Sequence, residues 1–161
     1  MIFVTVGTHQ QPFTRLLESL DQLPGDQLVV QHGYGPPPEG VARAVPFVSF
    51  REMVDLFEEA ERVVTHAGVG SVLLARRTGH VPVVVPRLQR YREHVDDHQL
   101  QLIRALTEIG HVIPVFDTAE LAQAVASAPA RGEPTNLREG RLHEALRTIL
   151  VPAGDRSEAG R

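Results

Sequence analysis

Apolar residues along this chain fall alternately into short unbroken runs and longer stretches of helical spacing. MIFVTVG is a β-branched run that stops at Gly7, the profile of a buried strand. Phe13, Leu16, Leu17 and Leu20 then recur at helical spacing within residues 13–23. QLVVQ (27–31) predicts a second strand, ended by HGYGPPPEG, a loop too rich in glycine and proline for regular structure. ARAVPFV (42–48) predicts a short strand, and Met53, Val54, Phe57 and Ala60 line one side of a helix over 50–60. RVVT (62–65) is the next strand, and HAGVG leads into a helix from Ser71 to Thr78 that Gly79 ends. VPVVVP (81–86) is a strand, RLQRYREH a polar loop, and a helix runs from Val95 to Glu108, closed by Gly110. HVIPVF is the last strand, and DTAELAQAVASA is a helix with Asp117 or Thr118 as its N-cap. A further helix spans 137–149, and the last residues read as a frayed tail.

This alternation predicts an α/β fold, a Rossmann-like parallel sheet with helices on both faces. One domain is expected over residues 1–150, with a flexible tail over 151–161. In such folds ligands bind beyond the carboxyl ends of the strands. The unusual residues fall there: Gly7-Thr8-His9 after the first strand, His32-Gly33 after the second, His66 to Ser71 after the fourth, and Pro86-Arg87 after the fifth.

Composition narrows the classes. With 161 residues and a formal charge of −4, the chain lacks the broad basic field of a nucleic-acid binder. The absence of cysteine excludes disulfides, thiolate zinc sites and thiol catalysis. No apolar stretch approaches the ~20 residues that span a bilayer, and no secretory signal precedes the first strand, so a cytoplasmic location is expected.

THAGVGS carries the most chemistry. Glycines opening a helix let backbone N–H groups approach a ligand, and a helix N-terminus favours anions. Ser71 can cap the helix or donate to a phosphate, and His66 stands where an imidazole can donate to a diphosphate. A plain strand-to-helix turn with a capping serine is the structural alternative, less favoured once His66 precedes the glycines. Gly7-Thr8 can supply an N–H and a hydroxyl to a phosphate or sugar, although many ligand-free turns look alike. In REHVDDHQ (92–99), His94 and His98 are four apart with Asp97 nearby, but no HExxH pattern and no spaced third ligand is present, so no metal is expected. Asp96 and Asp97 suit a helix N-terminus, while Asp97 and Gln99 have the chemistry to bind sugar hydroxyls. His80, His111 and His143 are expected at the surface, and Arg76-Arg77 on a solvated helix face. Arg87, Arg90 and Arg92 read first as a mobile, solubilising loop, and second as cations for an acidic sugar or lipid diphosphate.

The order of IFVTVGTHQQPFTRLL, VVQHGYG, FREMVDLFEEAERVVTHAGVGSVLLARRTGHVPVVVPR and EHVDDHQLQL resembles the C-terminal, donor-binding half of family 28 GT-B glycosyltransferases. Within that family the resemblance is stronger to the small stand-alone subunits of split enzymes, those acting on dolichyl-diphosphate-GlcNAc or building bacterial exopolysaccharides. It implies a nucleotide-sugar donor, most often UDP-linked, and a metal-independent hexosyltransferase with no cofactor. It places Gly7, Thr8 and His9 beside the donor, and His66, Gly68, Val69, Gly70 and Ser71 at the diphosphate, with His66 as the catalytic candidate. Asp97, His98 and Gln99 would approach the donor sugar. Where many relatives have a ribose-gripping glutamate, this chain has Leu74.

Because only a donor half is read here, a membrane-associated partner subunit is expected to supply the acceptor site for a lipid-linked sugar or glycan. The partner would recruit this chain to the inner face of the membrane. Isolated, the partner face is open to a homodimer. The alternative reading is a non-catalytic nucleotide-sugar-binding or regulatory module, for which Leu74 is the main support. An NAD-linked dehydrogenase fails: GTHQQP replaces GxGxxG, and no acid occupies the ribose position of the second strand.

Overall fold

The computed structural model describes residues 1–93, 97–137 and 140–150; the tail read over 151–161 lies outside them. Six strands, β1 (Ile2–Thr5), β2 (Leu28–Gln31), β3 (Arg43–Val45), β4 (Arg62–His66), β5 (Val83–Val85) and β6 (Ile113–Pro114), form one sheet in the order β3-β2-β1-β4-β5-β6. Every pairing is parallel, as the continuous apolar runs predict. Several strands are shorter than their apolar runs. Pro82 and Pro86 flank β5 and lack the N–H that would extend its ladder.

The helices are α1 (Thr14–Glu18, continued by a 3-10 turn over Ser19–Gln22), α2 (Phe50–Glu59), α3 (Val69–Arg77), α4 (Asp97–Glu108), α5 (Leu121–Ser127) and α6 (Gly140–Leu150). The two-residue period of each strand divides the core between the faces. Val4, Val30, Val64, Val83 and Val85 meet Leu16, Leu17 and Leu20 of the α1 segment and Leu121 and Val125 of α5. On the other face, Phe3, Val29 and Val63 meet Leu56 and Phe57 of α2 and Ala75 of α3. Val84 meets Val72, Leu102, Ile103, Leu106 and Leu142. Helices therefore cover both faces, as the sequence predicts. Ser49 starts α2 with a reciprocal capping box: its Oγ accepts from Glu52 N–H, and its own N–H donates to the Glu52 carboxylate.

Two surface expectations are corrected. His80 is buried, 2% exposed, with Nε2 2.7 Å from Phe57 O, so it ties the end of α3 to α2. Arg76 is half-buried and donates to His80 O at 2.6 Å and Thr135 Oγ1 at 2.8 Å; only Arg77 lies on the solvated face. Buried polar groups persist where they find such partners. His111 and His143 are half-buried.

Candidate functional site

The strand order reverses between β1 and β4, the topological switch point whose carboxyl-end crevice is where such sheets take ligands. Gly7 follows β1 at this point, and His66 to Gly68 end β4 and lead into α3. A buried network fixes the β1 turn. Thr5 Oγ1 donates to Gln31 Oε1 at 2.6 Å, and Gln31 Nε2 donates to Gly7 O at 3.1 Å and Pro46 O at 2.7 Å. Gly7 N–H donates to Thr5 Oγ1 at 3.2 Å, so this amide is already engaged within the turn.

Gly7 contributes through what it lacks. Its φ of +78° is a left-handed conformation, and a Cβ there would stand 2.5 Å from His66 Cε1. A Cβ on Gly68 would stand 2.2 Å from His66 Nε2. The imidazole is thus lodged between two glycines that admit it only because both lack side chains. Burial, reinforced by the Arg87 and His9 charges and opposed by the Thr5 backbone, lowers the His66 pKa to about 4. At neutral pH the ring is uncharged, a hydrogen-bonding dipole and no cation.

Helix α3 begins two residues before the Ser71 start read from the sequence. Gly68 is the N-cap, with no side-chain cap bond, and Ser71 sits at the third helical position. The capping role weighed for Ser71 therefore falls to Gly68, whose backbone alone opens the helix. Val69, Gly70 and Ser71 form the first turn, where N–H groups have no intrahelical partner. Gly70 is exposed, and a Cβ on it would meet nothing within 4 Å.

Thr8 and His9 are exposed beyond Gly7, and His9 Nδ1 accepts from Gln11 N–H at 3.1 Å. Gln99 is half-buried in the first turn of α4. Asp97 and His98 open that helix, but their side chains lie outside what the structure describes, as do His94 and Asp96 altogether. Among the described residues no three of His, Asp and Glu gather as a metal ion would require.

One feature was missed in the sequence, and one was read first in another role. A cleft of about 420 Å³ adjoins the start of α3, lined by Phe50, Met53, Gly70, Ser71, Leu73, Leu74, Arg77 and Leu137. Its one available signal was Phe50, an aromatic off the apolar face of α2 and 79% exposed. The second is Arg87. It is 4% exposed and packs its guanidinium 4.5 Å from the Phe13 ring centroid, so the expectation of a solvated loop residue is corrected. Half-buried Arg15 and buried Glu93 pin the same loop by an ion pair of 2.9 Å.

The model of the glycosyltransferase family 28 C-terminal domain matches residues 1–154. The chain is 31% identical over 134 residues to the UDP-N-acetylglucosamine transferase subunit ALG13 of Yarrowia lipolytica, over 73% of this chain and 66% of that protein. The chain thus spans slightly less than two thirds of that relative's length.

Proposed function

The chain belongs to glycosyltransferase family 28, and we propose that it is the donor-binding subunit of a two-component glycosyltransferase. The observation that carries this reading is the crevice between β1 and β4, where His66 is lodged between Gly7 and Gly68 at the bare N-terminus of α3. First-turn N–H groups and the helix dipole suit a diphosphate. The adjoining apolar cleft suits the flat, weakly polar face of a nucleoside, and Leu74 in its wall leaves ribose recognition to backbone groups or other side chains. The donor is a UDP-sugar in this reading, as the name of the Yarrowia relative states for that protein.

Transfer proceeds by attack of an acceptor hydroxyl on the anomeric carbon. The bond from that carbon to the diphosphate oxygen breaks, and the nucleoside diphosphate leaves with the electron pair. This chain's part is to hold the leaving group and stabilise its charge as it develops. A neutral His66 contributes a hydrogen bond there. The acceptor, a lipid-linked sugar or glycan, and the base that takes its proton belong to a membrane-associated partner subunit. That subunit would hold this chain at the inner face of the membrane; among the described residues no helix is long and apolar enough to cross one.

Calorimetric titration with UDP, UDP-sugars and uridine tests the proposal. UDP and at least one UDP-sugar should bind, and His66→Ala should weaken both. Absence of heat with every nucleoside diphosphate overturns it. Turnover on addition of the partner separates a transferase from a non-catalytic nucleotide-sugar module.

A further inference from the structure

Arg87 follows β5 at the same carboxyl edge as the crevice, and Val85 pairs with His66 in the sheet register. It is almost completely buried, at 4% exposure. Only Nη1 has a polar neighbour, Pro12 O at 3.4 Å, while Nε and Nη2 have no hydrogen-bond partner among the described residues. The nearby Glu93 carboxylate favours its charge through space but makes no hydrogen bond to it. Glu93 is taken by Arg15, Nε to Oε1 at 3.0 Å and Nη2 to Oε2 at 2.9 Å, and by Leu88 N–H at 3.0 Å. A buried guanidinium with two idle donors is costly to keep. The Phe13 ring holds it in place without satisfying a single N–H.

Nε and Nη2 are the two donors of one guanidinium edge, and that edge matches two oxygens of a phosphate or carboxylate. Arg87 also stands close enough to His66 for its charge to oppose protonation of the ring. The carboxyl edge of the sheet therefore carries a buried permanent cation on the strand next to His66 and the helix N-terminus.

We propose that the Nε–Nη2 edge of Arg87 receives oxygens of the donor diphosphate. This rests on the donor-site reading above. It makes Arg87 the principal counter-charge of the leaving group, with α3 and His66 as neutral donors around it.

The test is titration of the full chain and its Arg87→Met and Arg87→Lys variants with uridine, UDP, UDP-glucose and UDP-glucuronate, beside thermal melts without ligand. Loss of a charge-assisted bidentate contact should weaken UDP about 30- to 100-fold in Arg87→Met and leave uridine unchanged. Arg87→Lys keeps the charge without the fork and should fall about tenfold; it reads the fork even if the methionine variant does not fold. The ligand-free Arg87→Met protein should melt no lower than the parent, since an unsatisfied buried cation has been removed. If the parent binds UDP and both variants bind it equally well, the Arg87 assignment alone fails. If the parent binds no nucleoside diphosphate, the donor-site reading fails and this assignment with it. Loss confined to UDP-glucuronate would place the fork at a sugar carboxylate and overturn the diphosphate assignment. A lower melting temperature with uridine and UDP weakened alike would show a structural role and overturn it too.

Discussion

Gly70→Ala separates stability from binding at the start of α3. Gly70 occupies the second helical position, and a Cβ there would meet nothing within 4 Å. Alanine is favoured over glycine in a helix by about 0.5–1 kcal/mol, so the ligand-free variant should be stabilised by up to that amount. For a chain of this size that raises the melting temperature by roughly 1–4 °C. The same open space is where a diphosphate must come to reach the first-turn N–H groups. A methyl group there would displace an oxygen from one charge-assisted hydrogen bond of about 1.5–3 kcal/mol, weakening UDP roughly 10- to 100-fold. A thermal melt and a UDP titration on the same preparation measure both. Higher stability with unchanged UDP affinity would show that no ligand approaches Gly70, and the helix N-terminus would lose its assigned role.

The remaining predictions concern the parts that hold the crevice. Gly7→Ala meets both the His66 ring and a left-handed backbone, whereas Gly68→Ala meets the ring alone. By urea unfolding the first should cost about 2–5 kcal/mol and the second about 1–3, and a reversed order would refute the wedge. Glu93→Gln should cost about 2 kcal/mol by leaving half-buried Arg15 without its carboxylate; a change under about 0.5 kcal/mol would mean the pair does not pin the loop. The His66 pKa lies near 4 in the folded chain and near 6.5 when unfolded, so unfolding takes up a proton between those values. Stability should therefore fall as pH drops through this window, by about 2 kcal/mol from this ring between pH 7.5 and 5. Buried His80 and half-buried His111 act in the same direction. A His66→Gln variant with an undiminished pH slope would rule out His66 as the source.

The β–α order was legible because strands buried on both faces read as unbroken apolar runs, and because Gly79 and Gly110 mark helix ends. The edge of the sheet that carries His66 and the glycines followed from that order alone. What stayed hidden depended on contacts between distant residues. His80 looks like a surface histidine until Phe57, 23 positions away, offers its carbonyl, and Arg76 until Thr135, 59 positions away, offers its hydroxyl. Arg87 reads as one of three loop cations, yet the Phe13 ring shelters it while Arg90 and Arg92 remain exposed. Gly7 reads as an amide for a ligand, whereas the structure engages that amide with Thr5 and uses the missing side chain to admit His66. The apolar cleft gathers residues from α2, α3 and Leu137 that no single stretch places together.

Backbone amide chemical shifts recorded while UDP is titrated into the ¹⁵N-labelled chain test the donor site most directly. The amides of Thr8 and of Gly68 to Ser71 should move first and furthest, and the Arg87 Nε–H signal should shift with them. Shifts gathered instead at the cleft beside Pro36, Pro37 and Pro38, or no shifts at saturating UDP, would contradict the account.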